Sequence, residues 1–143
     1  MANVEIRRLT RDDLQRGFLD VLAGLTKVEL TADEAIPVFD GMMPNQFTYV
    51  ALAGNRVIGT TTLLVEQKFI HSGGRVGHIE DVVVSPEVQG KGVGGDLVRY
   101  AIDQAKHLGC YKVILHCSEK VQPFYESLGF HEANVGMRID LTP

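Results

Sequence analysis

Residues Ile79–Val98, IEDVVVSPEVQGKGVGGDLV, decide how this chain is read. Val82, Val83 and Val84 form an apolar run of strand character. A short polar break follows, Ser85-Pro86-Glu87-Val88. Next comes a glycine-rich turn, Gln89-Gly90-Lys91-Gly92-Val93-Gly94-Gly95, leading into a segment of helical character. Glycines let the backbone take positive φ and approach a ligand closely. The helix N-terminus just beyond offers unpaired N–H groups and the positive end of a dipole to an anion. The stretch therefore reads as a seat for a phosphate or pyrophosphate.

Which phosphate is a matter of spacing. Gly90, Gly92 and Gly95 satisfy G-x-G-x-x-G, the dinucleotide fingerprint. That turn follows its strand directly and needs an acidic residue about 20 positions later for the ribose. Here Ser85–Gln89 intervenes, and the end of the next strand carries His116. A nucleoside-triphosphate loop fits worse, because Lys91 is followed by Gly92 where Ser or Thr is required. The third spacing, Gln-x-x-Gly-x-Gly, is met by Gln89, Gly92 and Gly94. It resembles the coenzyme A pyrophosphate loop of the GNAT superfamily of N-acetyltransferases. A glycine-rich strand-to-helix connection without a ligand is the competing explanation, since such turns are common punctuation.

The 143 residues have the size of one domain, 1–143, with room for one substantial core. A hydrophobic content of 45% and a charged content of 22% belong to a globular chain. No segment approaches the roughly 20 apolar residues that span a membrane. The start, MANVEIRRLT, lacks the apolar region of a secretory signal. The net charge of −4 argues against nucleic acid as partner, because phosphate backbones demand clustered Lys and Arg. The two cysteines, Cys110 and Cys117, flank one expected strand without metal-ligand spacing. These features fit a reducing, cytoplasmic location and call for no metal.

The periodicities give alternating elements. Asn3–Arg8 reads as a strand. Thr10 caps a helix, with Asp13 in the capping-box position and Leu14, Phe18, Val21, Leu22 and Leu25 on one face. Thr31–Phe39 reads as a second helix. Phe47–Ala53 and Val57–Glu66, joined at Gly54-Asn55, read as a hairpin. Ser72-Gly73-Gly74 makes a turn before the strand Val76–Val84. Asp96–Lys106 is helical and stops at Gly109. Tyr111–Cys117 is a strand, Pro123–Leu128 a short helix ending at Gly129, and Glu132–Leu141 a last strand. The fold class is α/β, with a mixed, mostly antiparallel sheet and helices on both faces.

This order resembles the GNAT fold over essentially the whole chain. More narrowly, it is similar to the eukaryotic-type glucosamine-6-phosphate N-acetyltransferases. The matching stretches are Gly17-Phe18-Leu19 with Leu25-Thr26, Lys68-Phe69-Ile70, Gly77–Val84, Gly109–Leu115, and Phe124-Tyr125-Glu126 with Gly129-Phe130. The resemblance implies that Gln89, Gly90, Lys91, Gly92, Val93, Gly94 and Gly95 cradle the pyrophosphate of acetyl-CoA. It implies that Val82, Val83 and Val84 hold the pantetheine arm and the acetyl carbonyl through their backbone. By the same resemblance Glu80 and Asp81 line the amine end of the sugar site, through their carboxylates or their main-chain carbonyls, Thr26 binds substrate, and Tyr125 protonates the departing thiolate. A homodimer is implied too, its carboxy-terminal strand crossing to complete the partner's site, as is a place in amino-sugar nucleotide biosynthesis.

The chain departs from that group at His116 in Leu115-His116-Cys117, where Asp is usual. It departs again at Val121, where a coenzyme-facing Asn is common, and at Asp140, where some members carry a phosphate-binding Arg. An acid in place of a cation costs phosphate affinity, because that recognition rests on charge-assisted hydrogen bonds. Arg138 shares a strand face with residue 140 and is the candidate stand-in; His116 is a second acceptor-site candidate.

The chemistry is coherent without the resemblance. An alkylammonium must lose its proton to a carboxylate or water before it attacks a thioester. The oxyanion needs preorganised donors, and a phenol holds a proton for the leaving group at neutral pH. Each residue also has an ordinary reading. Glu80 and Asp81 fit a solvated strand end, where alternation puts them on opposite faces. Tyr125 fits a half-buried core position, and His78 and His116 fit structural roles. Three functions follow: acetyl transfer from acetyl-CoA to glucosamine 6-phosphate, the same transfer to another small amine, or a coenzyme A-binding module without catalysis.

Overall fold

Consecutive buried residues of a central hairpin, Tyr49, Val50, Ala51 and Leu52 with Val57, Ile58 and Leu63, build the centre of the molecule. In the computed structural model, which describes residues 3–143, β1 (Val4–Arg8), β2 (Gln46–Ala53), β3 (Arg56–Gln67), β4 (Arg75–Val84) and β5 (Cys110–Ile114) form one sheet in that order. Successive pairs from β1 to β4 are antiparallel, and β4 with β5 is parallel. The helices are α1 (Phe18–Leu22), α2 (Ala32–Asp40), α3 (Ile70–Gly73), α4 (Val93–His107) and α5 (Gln122–Ser127).

The alternation along β2 supplies both faces of the sheet. Val50 and Leu52 point to one side, with Leu14, Phe18, Val21 and Ala35 from the region of α1 and α2. Tyr49 and Ala51 point to the other, where α4 lies. There Val98, Ala101 and Ala105 meet Leu63, Val65 and Ile79, while Leu97 and Val93 meet Ala51 and Ile58. Helices on both faces of a mixed sheet is the architecture the patterns predict.

The differences have local causes. The single helix expected after Thr10 is interrupted, because Gly17 at φ +97° separates a 3-10 turn, Arg11–Gln15, from α1. Asp13 ties that turn to β1. Its buried carboxylate accepts from the Thr10 N–H at 2.7 Å and from both Arg7 nitrogens, Nη1 at 2.7 Å and Nη2 at 2.9 Å. The helix expected over 96–106 starts earlier, at Val93, capped by Gly92. The strand expected over 111–117 ends at Ile114 because β4 has no partner residue beyond His78. The last strand, Glu132–Leu141, does not form; among the described residues no strand follows α5. A strand exists only by pairing, and this segment meets no sheet edge in its own chain.

Candidate active site

β4 and β5 pair from Arg75↔Cys110 to His78↔Ile114 and then part. The carboxy-terminal half of β4, Ile79–Val84, keeps β3 on one side and leaves its other edge open. A parallel pair that splays in this way exposes backbone N–H and C=O groups to an extended ligand laid between the strands.

A bulge sharpens the divergence. Between Thr60↔Val83 and Thr62↔Glu80, β3 spends one residue and β4 spends two. The extra residue leaves Asp81 at φ +54°, a region that Asp enters more readily than most side chains. The Glu80 carbonyl accepts from Thr61 Oγ1 at 3.2 Å. Such a bulge bends its strand and re-aims the side chains beside it. The simple alternation expected for Glu80 and Asp81 is thereby corrected: both side chains are exposed. Beyond the bulge, Val82 and Val84 pack toward α4 and Val83 toward α1.

The glycine turn lies where β4 ends. Gly90 and Gly92 have φ of +79° and +87°, conformations that need glycine, and a Cβ on either would meet nothing within 4 Å. The turn therefore presents bare backbone to open space. The Lys91 N–H is taken by Val88 O, and Asp96 N–H to Gly92 O at 3.0 Å is the first bond of α4. The N–H groups of Val93, Gly94 and Gly95 have no intrahelical acceptor. With the exposed Lys91 beside them, these donors fit an anionic pyrophosphate, and the open edge of β4 fits the arm that such a coenzyme carries.

α5 closes the other side. Phe124 Cζ would lie 3.7 Å from a Cβ on Gly94, so this helix is folded against the glycine turn. Tyr125 meets Phe124 and Phe130 edge-on, at centroid distances of 4.9 and 5.9 Å. Burial pushes its phenol pKa up, and the nearby Cys117 adds to the shift. Its hydroxyl is a proton donor through the neutral range.

A cleft of about 710 Å³ runs beside β5 and brings His116, Cys117 and Tyr125 together, with the chain returning past it as far as Gly136. Arg138 lies beyond that lining, its Nε donating to Asp140 Oδ1 at 2.8 Å. Thr26 is exposed on the connection after α1, two residues past Gly24, whose Cβ would sit 3.0 Å from Val83. Sequence reasoning missed Phe124 and Gly136. The aromatic pair before Gly129-Phe130 was a signal for the first; nothing local signals the second. Among the described residues no helix is long and apolar enough to cross a membrane.

Comparison with known proteins gives a consistent picture. The family model described as "Acetyltransferase (GNAT) family" matches residues 9–130. A probable glucosamine 6-phosphate N-acetyltransferase 2 of Oryza sativa subsp. japonica is 39% identical, with 96% of this chain and 88% of that protein covered. The glucosamine 6-phosphate N-acetyltransferase of Trypanosoma brucei brucei is 37% identical over 99% of this chain and 98% of its own. The crystal structure of the Arabidopsis thaliana glucosamine-6-phosphate N-acetyltransferase superposes with a TM-score of 0.92, at 32% identity, covering 98% of this chain and 99% of that one.

Proposed function

The chain belongs to the acetyltransferase (GNAT) family, and from that premise we propose that it moves the acetyl group of acetyl-CoA to the amine of glucosamine 6-phosphate. The observation that carries the transfer is the parting of β4 from β5 after His78, directly beside the bare glycine turn. The acceptor is supported by relatives of that name, 37% and 39% identical over nearly the whole chain.

Acetyl-CoA supplies an activated thioester; the chain's residues supply the rest. Backbone groups of Gln89–Gly95 and the charge of Lys91 bind the pyrophosphate. The open edge of β4 at Val82–Val84 orients the arm and offers N–H groups to the carbonyl oxygen as it gains charge. Glu80 and Asp81 stand exposed at the bend of β4, where a carboxylate or a water held by it takes the proton from the ammonium. Tyr125, neutral and half-buried, gives its proton to the leaving sulfur. Thr26, His116 and Arg138 belong to the acceptor side. Transfer is direct, so neither cysteine is needed as a nucleophile.

The assembly we propose is a homodimer. Val135, Met137, Ile139 and Leu141 alternate along the carboxy-terminal segment and are 83–94% exposed, while the outer edge of β5 has no partner strand among the described residues. An apolar, strand-like segment without a partner and a sheet edge without a partner are complementary needs. A second copy meets both, its segment crossing to complete this site.

Thiol release from acetyl-CoA, measured with glucosamine 6-phosphate and glucosamine in parallel, tests the reading. Strong preference for the phosphorylated sugar supports it. Equal rates would move the acceptor to another small amine, and tight acetyl-CoA binding with no transfer to any amine would leave a binding module.

A further inference from the structure

Three consecutive threonines stand in the middle of β3, where the packing of a buried sheet calls for no polar group. Thr60 and Thr61 are fully buried. A buried hydroxyl is costly unless it is bonded, so each must find a partner. Thr60 Oγ1 donates to Tyr49 O at 2.7 Å, and the Thr62 and Thr48 hydroxyls share a bond of 2.9 Å. Both bonds join β3 to β2. Thr61 Oγ1 crosses the other way and donates to the Glu80 carbonyl of β4 at 3.2 Å.

That carbonyl stands where the bulge begins. Thr60 pairs with Val83 and Thr62 with Glu80, so Thr61 is the single residue set against Asp81 and Val82. Its own footing is firm. Thr61 pairs with the buried Tyr49 in β2 and shares a sheet face with Leu63, which packs with Val98 and Ala101 of α4. The bulge lacks that firmness, because its extra residue interrupts the ladder. Asp81 at φ +54° is a conformation that persists only where the surroundings over-determine it. A bond from the rigid side of the sheet to the residue just before Asp81 supplies that constraint.

We infer that Thr61 is a positioning residue: its hydroxyl clamps the Glu80 carbonyl and fixes the bulge from which Glu80, Asp81 and the open edge of β4 are aimed. Fully buried, it has no surface to offer coenzyme or acceptor. The inference rests on acetyl transfer at β4 and deepens it. The glycine turn has bonds of its own, Lys91 N–H to Val88 O and Asp96 N–H to Gly92 O. The clamp therefore bears on the transfer step rather than on coenzyme binding.

The test compares Thr61→Val, which keeps the branched shape and loses the hydroxyl, with Thr61→Ser, which keeps the hydroxyl and loses the methyl. Thr61→Val should lower kcat with glucosamine 6-phosphate about 10–10²-fold, with the acetyl-CoA KM within about threefold, as a small misplacement of reacting groups does. Thr61→Ser should hold kcat within about threefold of the wild type, while the void left by the methyl lowers its melting temperature. Rates are taken well below both melting temperatures, where a merely structural threonine would leave kcat unchanged in either variant. The inference is overturned if Thr61→Val keeps the wild-type kcat, or if Thr61→Ser loses as much as Thr61→Val. Amide hydrogen exchange over residues 79–84, read by mass, follows the clamp without activity. It should be several-fold faster in Thr61→Val and unchanged in Thr61→Ser. If the wild type transfers acetyl to no amine, the acetyltransferase reading fails. The exchange rates of the same three proteins then still decide the clamp, and equal rates would reject it.

Discussion

Two residues carry opposite kinds of burden. In the proposed reaction Tyr125 acts through its hydroxyl, so Tyr125→Phe, which leaves the ring against Phe124 and Phe130, should lower kcat about 10²-fold or more, in the range of a lost general acid. The KM for acetyl-CoA should hold. The pH profile gives the sign. Burial, helped by Cys117, raises the phenol pKa, and the protonated form is the working one. The wild-type rate should therefore persist past the ordinary tyrosine range near pH 10, and the Phe variant should lose that alkaline limb. An unchanged kcat would remove Tyr125 from the reaction. Asp81 is different, because its backbone is as unusual as its side chain. At φ +54°, a β-branched residue costs about 1–3 kcal/mol of strain that glycine avoids. If the bulge is what the site needs, Asp81→Gly should keep most of the turnover, while Asp81→Val loses it along with melting temperature. If the carboxylate takes the proton, Gly and Val should fail alike in kcat while only Val loses stability.

Elements were legible where their cause is local. The glycine turn, the helix that follows it and the Gly54-Asn55 hairpin are each fixed by residues a few positions apart, and all three form, with the helix beginning three residues early at Val93. The bulge at Asp81 was not legible, because it belongs to the register between β3 and β4 and no single strand records it. Gly17 did carry a signal, a glycine amid a helical stripe, and its left-handed backbone is what divides the first helix. The turn that precedes that break hangs on Asp13, with a consequence for pH. Burial raises the Asp13 pKa, but the Arg7 bond and the Thr10 groups outweigh it, and the net direction is downward. A carboxyl lowered in the folded state stabilises above its unfolded pKa near 3.9, and that contribution is lost as pH falls through the folded value. Asp13→Asn should cost roughly 2–3 kcal/mol near neutrality, the size of a hydrogen bond to a charged group. Its melting temperature should also fall less steeply than the wild type's below about pH 4. Parallel acid limbs for the two proteins would assign acid stability to other carboxylates.

For the molecule as a whole, the informative failure is the last strand. Glu132–Leu141 has the alternation of a strand and is unpaired in one chain, because the edge it fits is supplied by a second copy in the proposed dimer. The apolar side chains from 135 to 141 are 83–94% exposed, a poor arrangement for a monomer in water. Burying one such side chain stabilises by about 1.5–3 kcal/mol, and two-fold symmetry counts each substitution twice. Met137→Asp, on the face opposite Arg138, should then weaken dimerisation by roughly 10²–10⁴-fold, at 1.4 kcal/mol per decade. Sedimentation should find the variant a monomer at concentrations where the wild type is a dimer. The wild-type melting temperature should rise with protein concentration and the variant's should not. Function separates along the same line. As proposed, acetyl-CoA binding uses β4, the glycine turn and α5 of one chain, so it should survive. In the proposed dimer, use of the acceptor needs the crossing segment with Arg138, so its KM should rise steeply. A variant that stays dimeric would mean the apolar stripe faces something other than a second copy. A monomeric variant with an unchanged acceptor KM would mean that each chain completes its own site.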